Sequence, residues 1–170
     1  KAQTSNALLV HGCAFESLIA DLVMQETIGA TTGIQSIRTF YWFNQKKMSP
    51  GTRMTMKLSK YREVLKIANG QWEKGSEVND QLAVNWDDST EQYKAVPYPL
   101  PEIAYAHWNY QPVVAESYLI LKAQEAHYVG VGLNTSEPVL DALDKMRLFK
   151  PNGPSSTQRA EQKSVLVVQI

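Results

Sequence analysis

The chain has 170 residues, 44% of them hydrophobic, with 17 basic and 17 acidic side chains that balance to zero net charge. A chain of that size buries about two-thirds of its unfolded surface as one domain, and the even charge removes the basic footprint that nucleic-acid binding calls for. No apolar run approaches the roughly 20 residues that span a bilayer, and a single cysteine, Cys13, excludes an internal disulfide and a cysteine-built zinc site.

The first residue is Lys1, so the sequence reads as a processed product, a fragment or a renumbered chain, and its composition leaves the compartment open. TSNALLV reads either as a helix capped by Ser5 that runs through Ala7 and Leu8, or as a short strand broken at Gly12. Residues 12–29, GCAFESLIADLVMQETIG, carry the clearest pattern. Phe15, Leu18, Ile19, Leu22 and Val23 recur at helical spacing, predicting an amphipathic helix whose apolar stripe lies on a sheet. Gly29 stands where a left-handed cap ends such a helix. IQSIRTFYWFN then predicts a strand, with Ile37, Thr39, Tyr41 and Phe43 on one face and Arg38, Phe40 and Trp42 on the other. Apolar groups on both faces suit a central position. Pro50–Gly51 makes a turn, and TRMTMKLS alternates Met54, Met56 and Leu58 against Arg53, Thr55, Lys57 and Ser59 as a half-exposed strand.

Residues 60–78 have two readings. Tyr61, Val64, Leu65 and Ala68 fit a helix from Ser59 to Gly70, whereas Asn69–Gly70 fits a hairpin turn joining EVLKIA to QWEKG. Strand signals on both sides favour the hairpin. QLAVNW adds a strand. In 87–102, DDSTEQYKAVPYPLPE, prolines at 97, 99 and 101 predict an extended arm or crossover rather than a central strand. IAYAHWNY alternates Ile103, Tyr105 and His107 against Ala104, Ala106 and Trp108. Pro112 suits the opening of a helix through VVAESYLILKAQEAH, YVGVGLN is a short strand, and SEPVLDALDKMRLFK is a helix capped by Ser136. A polar linker at 155–162, SSTQRAEQ, leads to SVLVVQI, a strand apolar on both faces. That strand completes its own sheet or adds to the edge of a neighbouring subunit. The order predicts one α+β domain over 1–170. Its mostly antiparallel sheet packs against an amphipathic N-terminal helix, with two further helices in the C-terminal half.

Chemistry-bearing residues are few. Cys13 at the start of the first helix, with His107 or His127 as base, has the layout of a cysteine hydrolase, and equally that of a small buried hydrophobe. His11, His107 and His127 lack the close helical pairing of a zinc site. Asp87–Asp88 and Asp141/Asp144 lack calcium-loop spacing. Neither a metal site nor a cofactor is expected, and no phosphate-binding glycine loop or nucleophile elbow occurs. Tyr93, Tyr98, Tyr105, Trp108, Tyr110 and Tyr118, interleaved with prolines, suit a contact surface. Asn134-Thr135-Ser136 matches a glycosylation acceptor.

His11, Gly12 and Glu16 at a helix start, then a strand, the Pro50–Gly51 turn and a long hairpin, resemble the hot-dog fold of acyl-thioester dehydratases and thioesterases over residues 11–86. The resemblance implies that His11 or Glu16 acts on an acyl thioester; the preceding strand is cramped and 87–170 has no counterpart. The leading expectation is a non-catalytic subunit of a viral, phage or cell-surface assembly. It would meet itself or other protein subunits through Tyr93, Tyr98, Tyr105, Trp108 and Val165, Leu166, Val167 and Val168, with an acyl-thioester enzyme and a Cys13 hydrolase as alternatives.

Overall fold

The computed structural model describes residues 15–44, 64–74, 81–86, 91–98, 100–127 and 155–170. Among them, seven strands form one mixed, mostly antiparallel sheet: β1 (Ser36–Phe43), β2 (Leu65–Ala68), β3 (Gln71–Lys74), β4 (Leu82–Val84), β5 (Tyr93–Pro97), β6 (Val114–Lys122) and β7 (Ser164–Gln169). Helices α1 (Phe15–Ile28), α2 (Glu102–Tyr110) and α3 (Ser156–Ala160) accompany the sheet, and a short helical turn covers 123–127. The fold is α+β with an N-terminal helix, as the order of elements predicts. No described helix is long and apolar enough to cross a membrane.

β1 and β6 are the centre. They run parallel, from Ser36 opposite Val114 to Trp42 opposite Ile120. The other edge of β1 takes β7 antiparallel, from Arg38 opposite Gln169 to Phe43 opposite Ser164, so the terminal strand is paired within its own sheet. The other edge of β6 is shared. β2 meets it at Ala115, and β5 follows it from Tyr118 to Lys122. This central placement explains why β1 is apolar on both faces. The β2–β3 hairpin turns at Asn69 (φ 52°) and Gly70 (φ 72°), two positive values in succession, as a primed turn demands.

On one face of the sheet α1 and α2 lie side by side and enclose Ile37, Tyr41, Ile67 and Ala115. The opposite face gathers Tyr93, Ala95, Tyr118 and Ile120, with Phe40, Trp42, Val84 and Trp86 around them.

Several elements depart from expectation. α1 ends at Gly29 (φ 54°), whose N–H donates to Gln25 O, but the helix is rotated from its predicted setting. Ser17, Ala20, Met24 and Ile28 are buried, whereas Leu18 and Leu22 are 45% and 54% exposed. Small Ser17 and Ala20 let the helix axis approach the sheet and its neighbour more closely than leucines would. IAYAHWNY is helix, not strand: Ile103 and Ala106 are buried at helical spacing, and Gln111 (φ 47°) ends the helix. The segment from 113 predicted as helix is mostly strand β6, because a slot between β1 and the β2/β5 edge overrides the helix preference of Ala, Glu and Leu. β5 lies inside the sheet, between β4 and β6, despite its proline. Pro97 sits at its last residue, where loss of one N–H is tolerated. The polar linker contains α3, opened by a capping box between Ser155 and Gln158. Residues 1–14, the Pro50–Gly51 turn, TRMTMKLS, Asp87–Asp88 and the elements expected between 128 and 150 lie outside the described residues.

The rotation of α1 gives a stability test. Met24→Ala is expected to cost about 2–5 kcal/mol, as for other fully buried large-to-small changes. Leu18→Gln with Leu22→Gln should change stability by only about 0.5 kcal/mol each, since exposed sites are tolerant. Denaturant midpoints of the two variants check the order.

Candidate functional site

The buried polar and charged residues of the described chain are Ser17, Thr39, Glu102 and Ser117, and all four meet at one point. Glu102 is 1% exposed. It occupies the first turn of α2, directly after Pro101, whose φ of −64° suits a helix start. Its side chain points inward between the helices and the sheet. Ser17 Oγ on α1 donates to Oε2 at 3.3 Å, Thr39 Oγ1 on β1 to Oε1 at 3.3 Å, and Ser117 Oγ on β6 to Oε1 at 2.8 Å. The Tyr41 side chain and the residue's own backbone also bond to the carboxyl. Thr39 and Ser117 are directly opposite in the β1–β6 register, which is why both reach the same oxygen. Burial pushes the carboxyl above its ordinary value of 4.5, with the Glu102 backbone and the Ser117, Tyr41 and Thr39 side chains opposing.

A serine beside a carboxyl is the beginning of general-base chemistry. Here both serines are themselves buried, at 1% and 3% exposure, so a substrate carbonyl has no approach to either oxygen. What the arrangement does is join α1, α2, β1 and β6 through one side chain.

On the other face of the sheet, Arg38 Nε pairs with Glu116 Oε2 at 2.9 Å. Tyr118 stacks on Phe40, with ring centres 5.3 Å apart. Burial first, and the neighbouring Glu116 charge second, hold the Tyr118 hydroxyl well above its ordinary range. At the outer edge, Lys122 Nζ pairs with Glu91 Oε1 at 2.6 Å.

Cys13, the expected nucleophile, and His11, which the hot-dog resemblance singles out with Glu16, lie outside the described residues; Glu16 is in the first turn of α1. His107 lies on α2 with its ring edge-on to Trp72, 5.4 Å between centres, and its buried Nδ1 has no hydrogen-bond partner among the described residues. His127 ends the 123–127 turn and is exposed, so the structure does not bring His107 and His127 into one described cluster. No group of three or more His, Cys, Asp or Glu among the described residues is placed to hold a metal.

The expected contact residues divide. Tyr93 is buried within the chain, its hydroxyl donating to Glu91 Oε2 at 3.1 Å. Tyr98 is half-buried. Tyr105, Leu166 and Val168 pack against the helix-side core. Trp108, Val165 and Val167 are exposed. Glu102 itself is missing from the sequence-based candidates. Its signal was indirect: Thr39 falls in phase with Ile37 and Tyr41, a polar residue on an apolar face, and such a residue needs a buried partner. No family model matches the chain, and no curated protein matches it in sequence.

Thr39→Val keeps shape and removes one hydroxyl from Glu102. A loss of about 1–3 kcal/mol in unfolding free energy is expected, the range for a buried polar group deprived of a partner. Equilibrium denaturation measures it.

Proposed function

We propose that the chain is a non-catalytic assembly subunit that works through subunit–subunit contacts, of the kind that builds viral, phage or cell-surface structures. The observation that carries this reading is the outer side of the helix pair. Trp108 on α2 is 68% exposed, and Leu18 and Leu22, one turn apart on α1, are about half exposed. Single exposed apolar residues are ordinary, but three large ones carried by two helices that pack against each other suit a contact surface. Tryptophan is also the residue most enriched where contacts are strong. Tyr105 supports Trp108 from beside it, with ring centres 6.5 Å apart and a tilt of 60°, so the indole is held rather than free to fold back. Val165 and Val167 on the terminal strand add a second exposed apolar pair on the other sheet face.

The walled-in state of Glu102 adds to the same reading: this buried carboxyl is occupied in holding the helices. Under this proposal light scattering over a range of concentrations finds masses above the 19.1 kDa of one chain. Leu18→Gln, Leu22→Gln and Trp108→Ser together lower the mass toward one chain without lowering the unfolding midpoint. A wild-type protein that remains at one chain mass at every concentration sinks self-assembly.

A further inference from the structure

The hydrogen bonds at Glu102 speak to its protonation. A hydroxyl donating to an ionised carboxylate contracts to about 2.5–2.7 Å, while neutral O–H···O bonds centre near 2.7–2.8 Å and extend beyond. The contacts here are 2.8 Å from Ser117 and 3.3 Å from both Ser17 and Thr39. None of the three is contracted to the charge-assisted range, and the two at 3.3 Å are weak contacts.

The surroundings provide no counter-charge among the described residues. On α1, Asp21 is held by Gln25 at 2.7 Å and faces Tyr110. On β1 and β6, Arg38 and Glu116 point to the opposite sheet face and pair with each other. On α2, His107 turns toward Trp72. β7 contributes Leu166 and Val168 to this face. Tyr41 is the one titratable side chain of the described residues that bonds to the carboxyl. An ionised Glu102 would have hydroxyl dipoles, its own N–H and a helix start for company, but no cation among the described residues. Those dipoles reduce the cost of the charge, and burial is the larger effect.

We propose that the protein carries Glu102 as a neutral carboxylic acid, with Thr39 and Ser117 donating to Oε1 and the Ser17 hydroxyl turned to accept the proton on Oε2, and that this proton is a latch: losing it loosens α1 and α2 from β1 and β6 as the pH rises. The sign follows from linkage. The folded chain keeps this proton to a higher pH than the unfolded chain, whose glutamate titrates near 4.5. Stability from this group is therefore complete below that value and is lost as the pH climbs through the raised one. The latch lies beneath the helices that carry Leu18, Leu22 and Trp108, yet it does not rest on the assembly reading, and its readouts do not need assembly.

The test uses the full chain labelled with 13C in its glutamate carboxyls and assigned through bonds. One carboxyl carbon, that of Glu102, should titrate above all other glutamates. Over the same interval wild-type denaturant midpoints should fall and amide exchange in 17–28 should accelerate. Glu102→Gln, a neutral mimic, should flatten both profiles and be the more stable protein at the alkaline end. Glutamate carbons that all titrate together overturn the proposal, as do parallel stability profiles for wild type and Glu102→Gln, or α1 amides whose protection stays constant while Glu102 titrates. If Glu102→Gln does not fold, the wild-type carbon titration and amide exchange decide.

Discussion

A carboxyl placed where water cannot reach it imposes demands on everything around it. Glu102 has two oxygens to satisfy, and the chain meets the demand with hydroxyls from Ser17, Thr39, Tyr41 and Ser117, one from α1, two from β1 and one from β6. Each bond by itself contributes about 0.5–1.5 kcal/mol net, but a missing one leaves a buried polar atom unsatisfied. The helices therefore have one acceptable setting on the sheet. Ser17 has to face inward, which turns Ala20, Met24 and Ile28 to the core and leaves Leu18 and Leu22 in solvent.

The sheet is arranged to make that point available. Parallel pairing of β1 and β6 puts Thr39 beside Ser117 on the helix side, and puts Arg38 beside Glu116 and Phe40 beside Tyr118 on the other. The same register thus serves two different chemistries. A hydroxyl shell is buried under the helices, while an ion pair and a stacked aromatic pair lie on the reverse face. The ion pair is partly open to water and contributes little by itself; the aromatic contact and the burial of Ile120 and Ala95 hold that face.

The described part of the chain sets two features side by side. Its most unusual carboxyl is enclosed by hydroxyls that are themselves buried, and its exposed surface is instead notable for large apolar side chains on the outer helix faces. The two proposals concern the same helices: the protonation of Glu102 would govern how firmly the layer is held, and the exposed apolar side chains of α1 and α2 what it presents to a partner.

Much of the architecture was legible in the residues. The run of β-branched and aromatic side chains in β1, the Asn69–Gly70 hairpin, the helix ended by Gly29 and the apolar terminal strand are all local signals, and local sterics and hydrogen bonding suffice to produce them. Glu102 was not legible, since its meaning comes from Ser17, Thr39 and Ser117, residues 85, 63 and 15 positions away. Nor were β6 and α2, whose identities are reversed relative to their local patterns: the slot beside β1 requires an extended segment, and the cover over Glu102 requires a helix. By itself the sequence determined the α+β class, the Asn69–Gly70 turn, the Gly29 helix end and the apolar content, because those depend on neighbours within a few residues. Only the tertiary structure decided which side of α1 is inside and which carboxyl is buried, because both follow from hydroxyls that distant segments bring to one place.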